Sequence, residues 1–276
     1  MYKNICKLGI LILFMLLSNS CSNEMKEGDT RVRSRKFFNS NLSVVNLPSS
    51  IQTIEDSAFA NNQLTEISFP EGLRVIGPRA FRNNALQKIV IPEGVTRIGE
   101  GAFENNKITE VILPTTITYI GRNAFNNNLI ETFPVDDQNV EIGNFAFSNN
   151  KITSIILPST IENIADGVFR DNLITSLTIS SSVKRIGSNS FSGNHINILN
   201  IPENVEIIGA NAFADNPITR VVMNNRNINI SDNSFPQDIM PLILRQISIN
   251  VTFEDLVRQI DQLRGRRVTM ERSGMT

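Results

Sequence analysis

Apolar and polar positions along most of this chain recur with one fixed period, and the largest apolar residue sets the ruler. Phe stands at 37, 59, 81, 103, 125, 147, 169, 191, 213 and 235, an unbroken step of 22. Such a repeat predicts a solenoid, in which each unit buries its apolar side only by stacking on its neighbours. With Phe as place 0, place 5 is Leu or Ile from Leu64 through Ile218. Places 8 and 10 are apolar in pairs such as Ile89/Ile91, Val111/Leu113 and Ile155/Leu157, and place 17 is Ile from Ile76 through Ile230, usually followed by Gly. Alternation at places 7 to 10 is the mark of a short strand. Pro48, Pro70, Pro92, Pro114, Pro158 and Pro202 end that strand where no donor is needed. Ile-Gly is expected to turn the opposite side, and Ala-Phe to make a tight bend whose ring fills the coil. The pattern thus predicts about ten coils with a parallel β-sheet on one face and turns or helical turns on the other, roughly 48 Å long at about 4.8 Å per coil.

Place 3 is Asn in eight consecutive coils: Asn62, Asn84, Asn106, Asn128, Asn150, Asn172, Asn194 and Asn216. An amide repeated at one level of every coil fits a ladder that satisfies turn backbone, since a binding site is local and a ladder is global. Gly99-Glu100-Gly101 sits inside the repeat with no nucleotide-fold helix after it, so it too is structural. Two coils depart from the pattern. One reads Phe133-Pro134-Val135-Asp136-Asp137, with its adjacent carboxylates expected in a solvated turn; the other is the last, where Asn224 and Ser231 replace Pro and Gly.

The solenoid is expected over residues 37–240, followed by a C-terminal cap and tail over 241–276. Leu242 to Val251 suits an irregular apolar strand, and Thr252 to Asp255 is a capping box. The helix after it places Phe253, Leu256, Val257, Ile260 and Leu263 on one face and stops at Gly265, as a solenoid end requires.

The N-terminus is of another kind. Lys3 and Lys7 precede an apolar run, Leu8 to Leu17, too short to span a bilayer and suited to a secretory signal over residues 1–20. Ser18, Asn19 and Ser20 lead into Cys21, as in a bacterial lipoprotein signal in which the cysteine is lipidated, although Leu17 lies one place further from Cys21 than the usual pattern has it. Ordinary cleavage and an uncleaved anchor are the alternatives. Residues 21–36 are expected to be a lipidated, solvated tether.

Composition narrows the function. Hydrophobic residues at 41% and charged residues at 19% exclude a disordered or fibrous chain. Lys plus Arg (26) balances Asp plus Glu (27), which leaves no field for nucleic acid. The cysteines, Cys6 and Cys21, both lie at the N-terminus, so the body is expected to hold no disulfide or cysteine metal site. His195 is the sole imidazole, no catalytic or cofactor motif is present, and neither enzyme activity nor a cofactor is expected.

The recurring Ile-x-x-Ile-Gly-x-x-Ala-Phe-x-x-Asn-x-Ile-x-x-Val-x-Leu-Pro resembles the BspA-like, treponemal-class leucine-rich repeat from residue 37 to about 235. Where this chain has Asn, members commonly carry Cys or another small residue. The resemblance implies an exported, surface-displayed bacterial protein, without catalytic residues, that binds other proteins such as host matrix or plasma components. Joined to the signal, it gives a monomeric adhesin, lipid-anchored through Cys21 at the outer membrane or cell surface. The alternative is a subsurface envelope lipoprotein with a scaffolding role. The binding face would be the presumed concave sheet, where place 9 sets Val90, Ile112, Pro134 and Ile156 side by side and place 7 rims them with Glu66, Lys88 and Glu110. The same β-branched residues also suit a strand for its own sake.

Overall fold

The computed structural model describes residues 25–225 and 227–243. The signal, Cys21 and the expected capping helix lie outside the described residues.

Every coil is held by the same interior. The ten Phe rings stack face to face, eight of the nine intervals measuring 5.2–5.5 Å between centroids. The exception is Phe147–Phe169 at 6.3 Å. Around this column lie buried Ile, Leu and Val from places 5, 8, 10, 14 and 17, forming one continuous core.

Sixteen short strands, numbered in chain order, alternate between two faces among the described residues. The first face uses places 16 and 17. There β1 (Arg31–Val32), β2 (Thr53–Ile54), β3 (Val75–Ile76), β5 (Arg97–Ile98), β7 (Tyr119–Ile120) and β8 (Glu141–Ile142) form one six-stranded parallel sheet. A four-stranded sheet of β10 (Asn163–Ile164), β12 (Arg185–Ile186), β14 (Ile207–Ile208) and β16 (Asn229–Ile230) continues it after a break. The second face, at places 7 to 10, carries only pairs: β4 (Lys88–Val90) with β6 (Glu110–Ile112), β9 (Ser154–Ile156) with β11 (Ser176–Thr178), and β13 (Ile198–Ile201) with β15 (Arg220–Met223).

The expected parallel solenoid is therefore present, but its longest ladder runs where Ile-Gly was expected merely to turn. Gly explains the continuity. A Cβ built on Gly99 would lie 2.5 Å from the Gly77 carbonyl carbon, and one on Gly121 would lie 2.6 Å from the Glu100 nitrogen. Removing the side chain lets successive backbones approach closely enough to pair.

Two further corrections concern the ends. The tether does not reach Lys36, because β1 already pairs with β2 and Val32 is fully buried. Val32 fills the place-17 slot one turn before the first Phe, and a ruler anchored on Phe and Ile-Gly does not see it. At the other end, Met240 to Ile243 are helical where Leu242 onward was expected to be a strand. The Met240 and Ile243 amides bond back to the Pro236 and Ile239 carbonyls at 3.3 and 3.1 Å.

The abundance of Asn has two structural causes. The place-3 amides are the expected ladder. Asn128 Nδ2 donates to the Phe103 and Phe125 carbonyls at 2.9 and 3.1 Å, and its Oδ1 accepts from the Ile108 amide at 3.1 Å. Place 2 is a second column, and its backbone is left-handed. Asn61, Asn83, Asn105 and Asn127 have φ between 57° and 59°, a region Asn tolerates better than most residues. Their exposed amides bond in series, Asn83 to Asn61, Asn105 to Asn83 and Asn127 to Asn105, at 2.7–2.8 Å.

Candidate partner-binding face

The second face tests the predicted strip. In β4 and β6 the middle residues Ile89 and Val111 point inward, leaving Lys88, Val90, Glu110 and Ile112 outward. The register sets Lys88 opposite Glu110 and Val90 opposite Ile112. Lys88 Nζ lies 2.8 Å from Glu110 Oε2. An exposed pair of this kind is worth less than about 1 kcal/mol, so it orders the rim more than it stabilises the fold. Val90 and Ile112 are 49% and 44% exposed. Ile156 is 77% exposed, and its ladder neighbour is Thr178.

The strip is not continuous. Pro134 is half-buried and belongs to no strand, so it separates Ile112 from Ile156. Glu66 is exposed but also outside any strand. Val90 with Ile112 thus forms one apolar pair, and Ile156 stands alone beyond Pro134. Ile198, 58% exposed at place 7 of β13, was missed because that column was followed only as far as Glu110. Continuing the column would have reached it.

Pro134 belongs to a coil whose interior is displaced. Place 14, apolar in its neighbours, is Asn139 here, and the adjoining Val140 is buried instead. The Gln138 and Val140 amides bond to the carbonyls of Asp136 and Gln138, at 2.8 and 3.0 Å, in place of the Pro-led turn. Phe133 enters the core edge-on, 5.4 Å from Phe147 and 5.0 Å from Phe169. Asp137 accepts from the amide and hydroxyl of Ser159 one coil on, at 3.3 and 3.5 Å. Among the described residues no group of three His, Cys, Asp or Glu side chains is placed to hold a metal ion.

Charge on the first face comes mainly from local pairs. Glu162 accepts from Lys184 Nζ at 2.9 Å, and this hydrogen bond, with its Coulomb attraction, raises the lysine above its usual range. Near the N-terminal end the Ser34 backbone amide donates to Glu55, which holds that carboxyl below the ordinary range. Arg97 lies over the Tyr119 ring at 4.1 Å, a cation–π contact. His195 is exposed.

A family model for the BspA type leucine rich repeat region, in six copies, matches residues 30–150 and 126–240. The chain belongs to that family. Its repeats are leucine-rich-repeat solenoids, which are typically protein-interaction scaffolds rather than enzymes. Among solved structures it is similar to a leucine-rich repeat protein from Eubacterium ventriosum, at 20% identity over 78% of this chain and 69% of that one, with a TM-score of 0.50. It is also similar to YopM from Yersinia enterocolitica, at 19% identity over 70% of this chain and 39% of that one, again at 0.50. A leucine-rich repeat protein from Bacteroides ovatus aligns at 20% identity over 75% and 73% of the two chains, with a TM-score of 0.42. At these identities the likeness is one of fold. No curated protein matches the chain. No helix among the described residues is long and apolar enough to cross a membrane.

Proposed function

We propose that this chain is an exported bacterial surface protein, lipid-anchored through Cys21, whose solenoid binds a protein partner of the host matrix or plasma. The observation that carries the reading is the second face: Val90 and Ile112 paired in register and about half exposed, with Ile156 more exposed still. Exposed apolar side chains beside charged ones, here Val90 and Ile112 beside Lys88 and Glu110 with Glu66 one coil earlier, are the ordinary composition of a protein-binding surface. The repeat family supports a role in protein interaction.

Replacing Ile112 and Ile156 together with Ser should weaken binding to immobilised matrix and plasma proteins at least tenfold, with the unfolding midpoint within a few degrees of the parent. Unchanged affinity in the folded double variant removes the strip from the reading. Protease added to intact cells tests exposure: loss of the protein agrees with display, and full protection favours a scaffold beneath the surface.

A further inference from the structure

Among the described residues the Phe stack lengthens at one level only, and the first-face ladder breaks at the same level. The six-stranded sheet ends at β8, and β10 begins another. On the second face the coil between β6 and β9 joins neither pair, though pairing also lapses between β11 and β13, so the first-face break and the ring stack mark this level. The Phe147–Phe169 distance is the longest of the ring stack.

The third side of the coil stays tied. The Phe145, Phe147 and Asn149 amides donate across this level to the Asp166, Val168 and Arg170 carbonyls, at 2.9, 3.0 and 2.8 Å. Asn172 still bridges it, donating to Phe147 O at 3.0 Å and accepting from Ile152 N at 3.1 Å. The β ladders of both faces are interrupted here, while the Phe-Asn corner is bonded and the turn between the faces keeps Thr160 Oγ1 on the Gln138 carbonyl at 2.8 Å and Ser159 on Asp137.

Place 18 supplies a cause. Gly143 and Gly187 flank this level, but Ala165 occupies it, and a Cβ at this place in neighbouring coils would meet backbone at 2.5–2.8 Å. Glu55 and Ser231 also carry a Cβ here while their ladders persist, so a Cβ at this place does not open the ladder by itself. Ala165 differs from them in lying beside the displaced Val140 segment. Together Ala165 and this segment leave a narrow apolar cleft between Val140, Ile142, Ile161, Ile164 and Ala165. Phe145 adds strain at the bonded corner. Its φ is 60°, unusual for an aromatic residue. Its ring fills the space where Gly167 would carry a Cβ.

We infer that the level between Ile142 and Asn163 is a hinge, bonded along the Phe-Asn corner and open at the Ile-Gly face, about which two rigid stacks tilt. Ile112 and Ile156 lie on opposite sides of it, so its angle sets the distance between the two halves of the exposed strip.

Spin-label pairs placed five repeats apart on the first face test this in the full chain, with Cys6 and Cys21 changed to Ser. The Arg31→Cys/Glu141→Cys pair lies within one stack, and the Val75→Cys/Arg185→Cys pair spans the hinge. The spanning pair should give a distance distribution at least twice as wide as the internal pair, and Ala165→Gly should narrow it. Equal widths in two folded variants overturn the hinge. A wide distribution unchanged by Ala165→Gly overturns the assignment to Ala165. Circular dichroism on each labelled protein separates these results from misfolding.

Discussion

The stack that ends at Ile142 and the stack that begins at Asn163 are made from the same coil with unequal regularity. In the first, place 18 is Glu55, Gly77, Gly99, Gly121 and Gly143, and place 21 is Ala58, Ala80, Ala102, Ala124 and Ala146. In the second, place 18 reads Ala165, Gly187, Gly209 and Ser231, and place 21 reads Val168, Ser190, Ala212 and Ser234. The outer Asn column likewise gives way to Asp171, Gly193 and Asp215. Both stacks keep Phe at place 0 throughout and Asn at place 3 from Asn62 to Asn216. The difference separates two roles. Phe and the inner Asn define a coil and its spacing, 5.2–5.5 Å within both stacks, while Gly and the outer Asn act between coils, at the close backbone approach and in the exposed amide series.

The largest expected effect follows from that separation. Asn128→Ala removes the partner of two buried carbonyls and one amide, those of Phe103, Phe125 and Ile108. At about 1–3 kcal/mol for each buried group left unpaired, the loss should be roughly 4 kcal/mol in a denaturant titration. Asn127→Gly, one residue earlier, should cost less than about 0.5 kcal/mol, because Gly accepts the left-handed backbone and the lost bond is exposed. Equal losses from the two variants would erase the distinction between residues that define a coil and residues that act between coils.

Gly121→Ala should have the next largest effect, since it imposes on the regular stack what Ala165 imposes on the hinge. The added methyl would sit 2.6 Å from the Glu100 nitrogen and 2.7 Å from the Gly99 carbonyl carbon, both backbone atoms that cannot rotate away. Overpacking of this kind costs about 1–3 kcal/mol, and amide exchange at Gly121 and Gly143 should quicken as the ladder opens. If the variant is as stable as the parent, place 18 does not govern the close backbone approach, and another cause must be sought for the break at Ala165.

The sequence showed the repeat, the core columns and the inner Asn ladder, because each is a property of one coil written many times over. It concealed what depends on the distance between coils. The Gly column looked like a turn signal, since a close approach leaves no mark on the single coil that makes it. Val32 was hidden by the lack of a following Gly. The displacement at Asn139 and Val140 was hidden because the phase of the Phe column survives it. At the candidate site, alternation in Lys88-Ile89-Val90 and Glu110-Val111-Ile112 correctly separated inward from outward residues. The interruption at Pro134 was visible as a proline in a strand position, but its half-buried place depends on Phe133 turning into the core.

The smallest expected effect has the opposite sign. Ser190 is fully buried, and its hydroxyl has no hydrogen-bond partner among the described residues. The same place is Ala throughout the first stack, so Ser190→Ala removes a polar atom without opening a cavity or straining a neighbour. Relief of an unsatisfied buried hydroxyl should stabilise the chain by about 1 kcal/mol and raise the thermal midpoint by roughly 2–4 °C. Ser234, in the same column, differs because its hydroxyl donates to the Gly209 carbonyl at 3.0 Å. Ser234→Ala should therefore lower the midpoint slightly while Ser190→Ala raises it. Opposite shifts would show that the second stack is less regular through unmet polar atoms as well as at place 18, whereas a fall in both would mean that a buried water already serves Ser190.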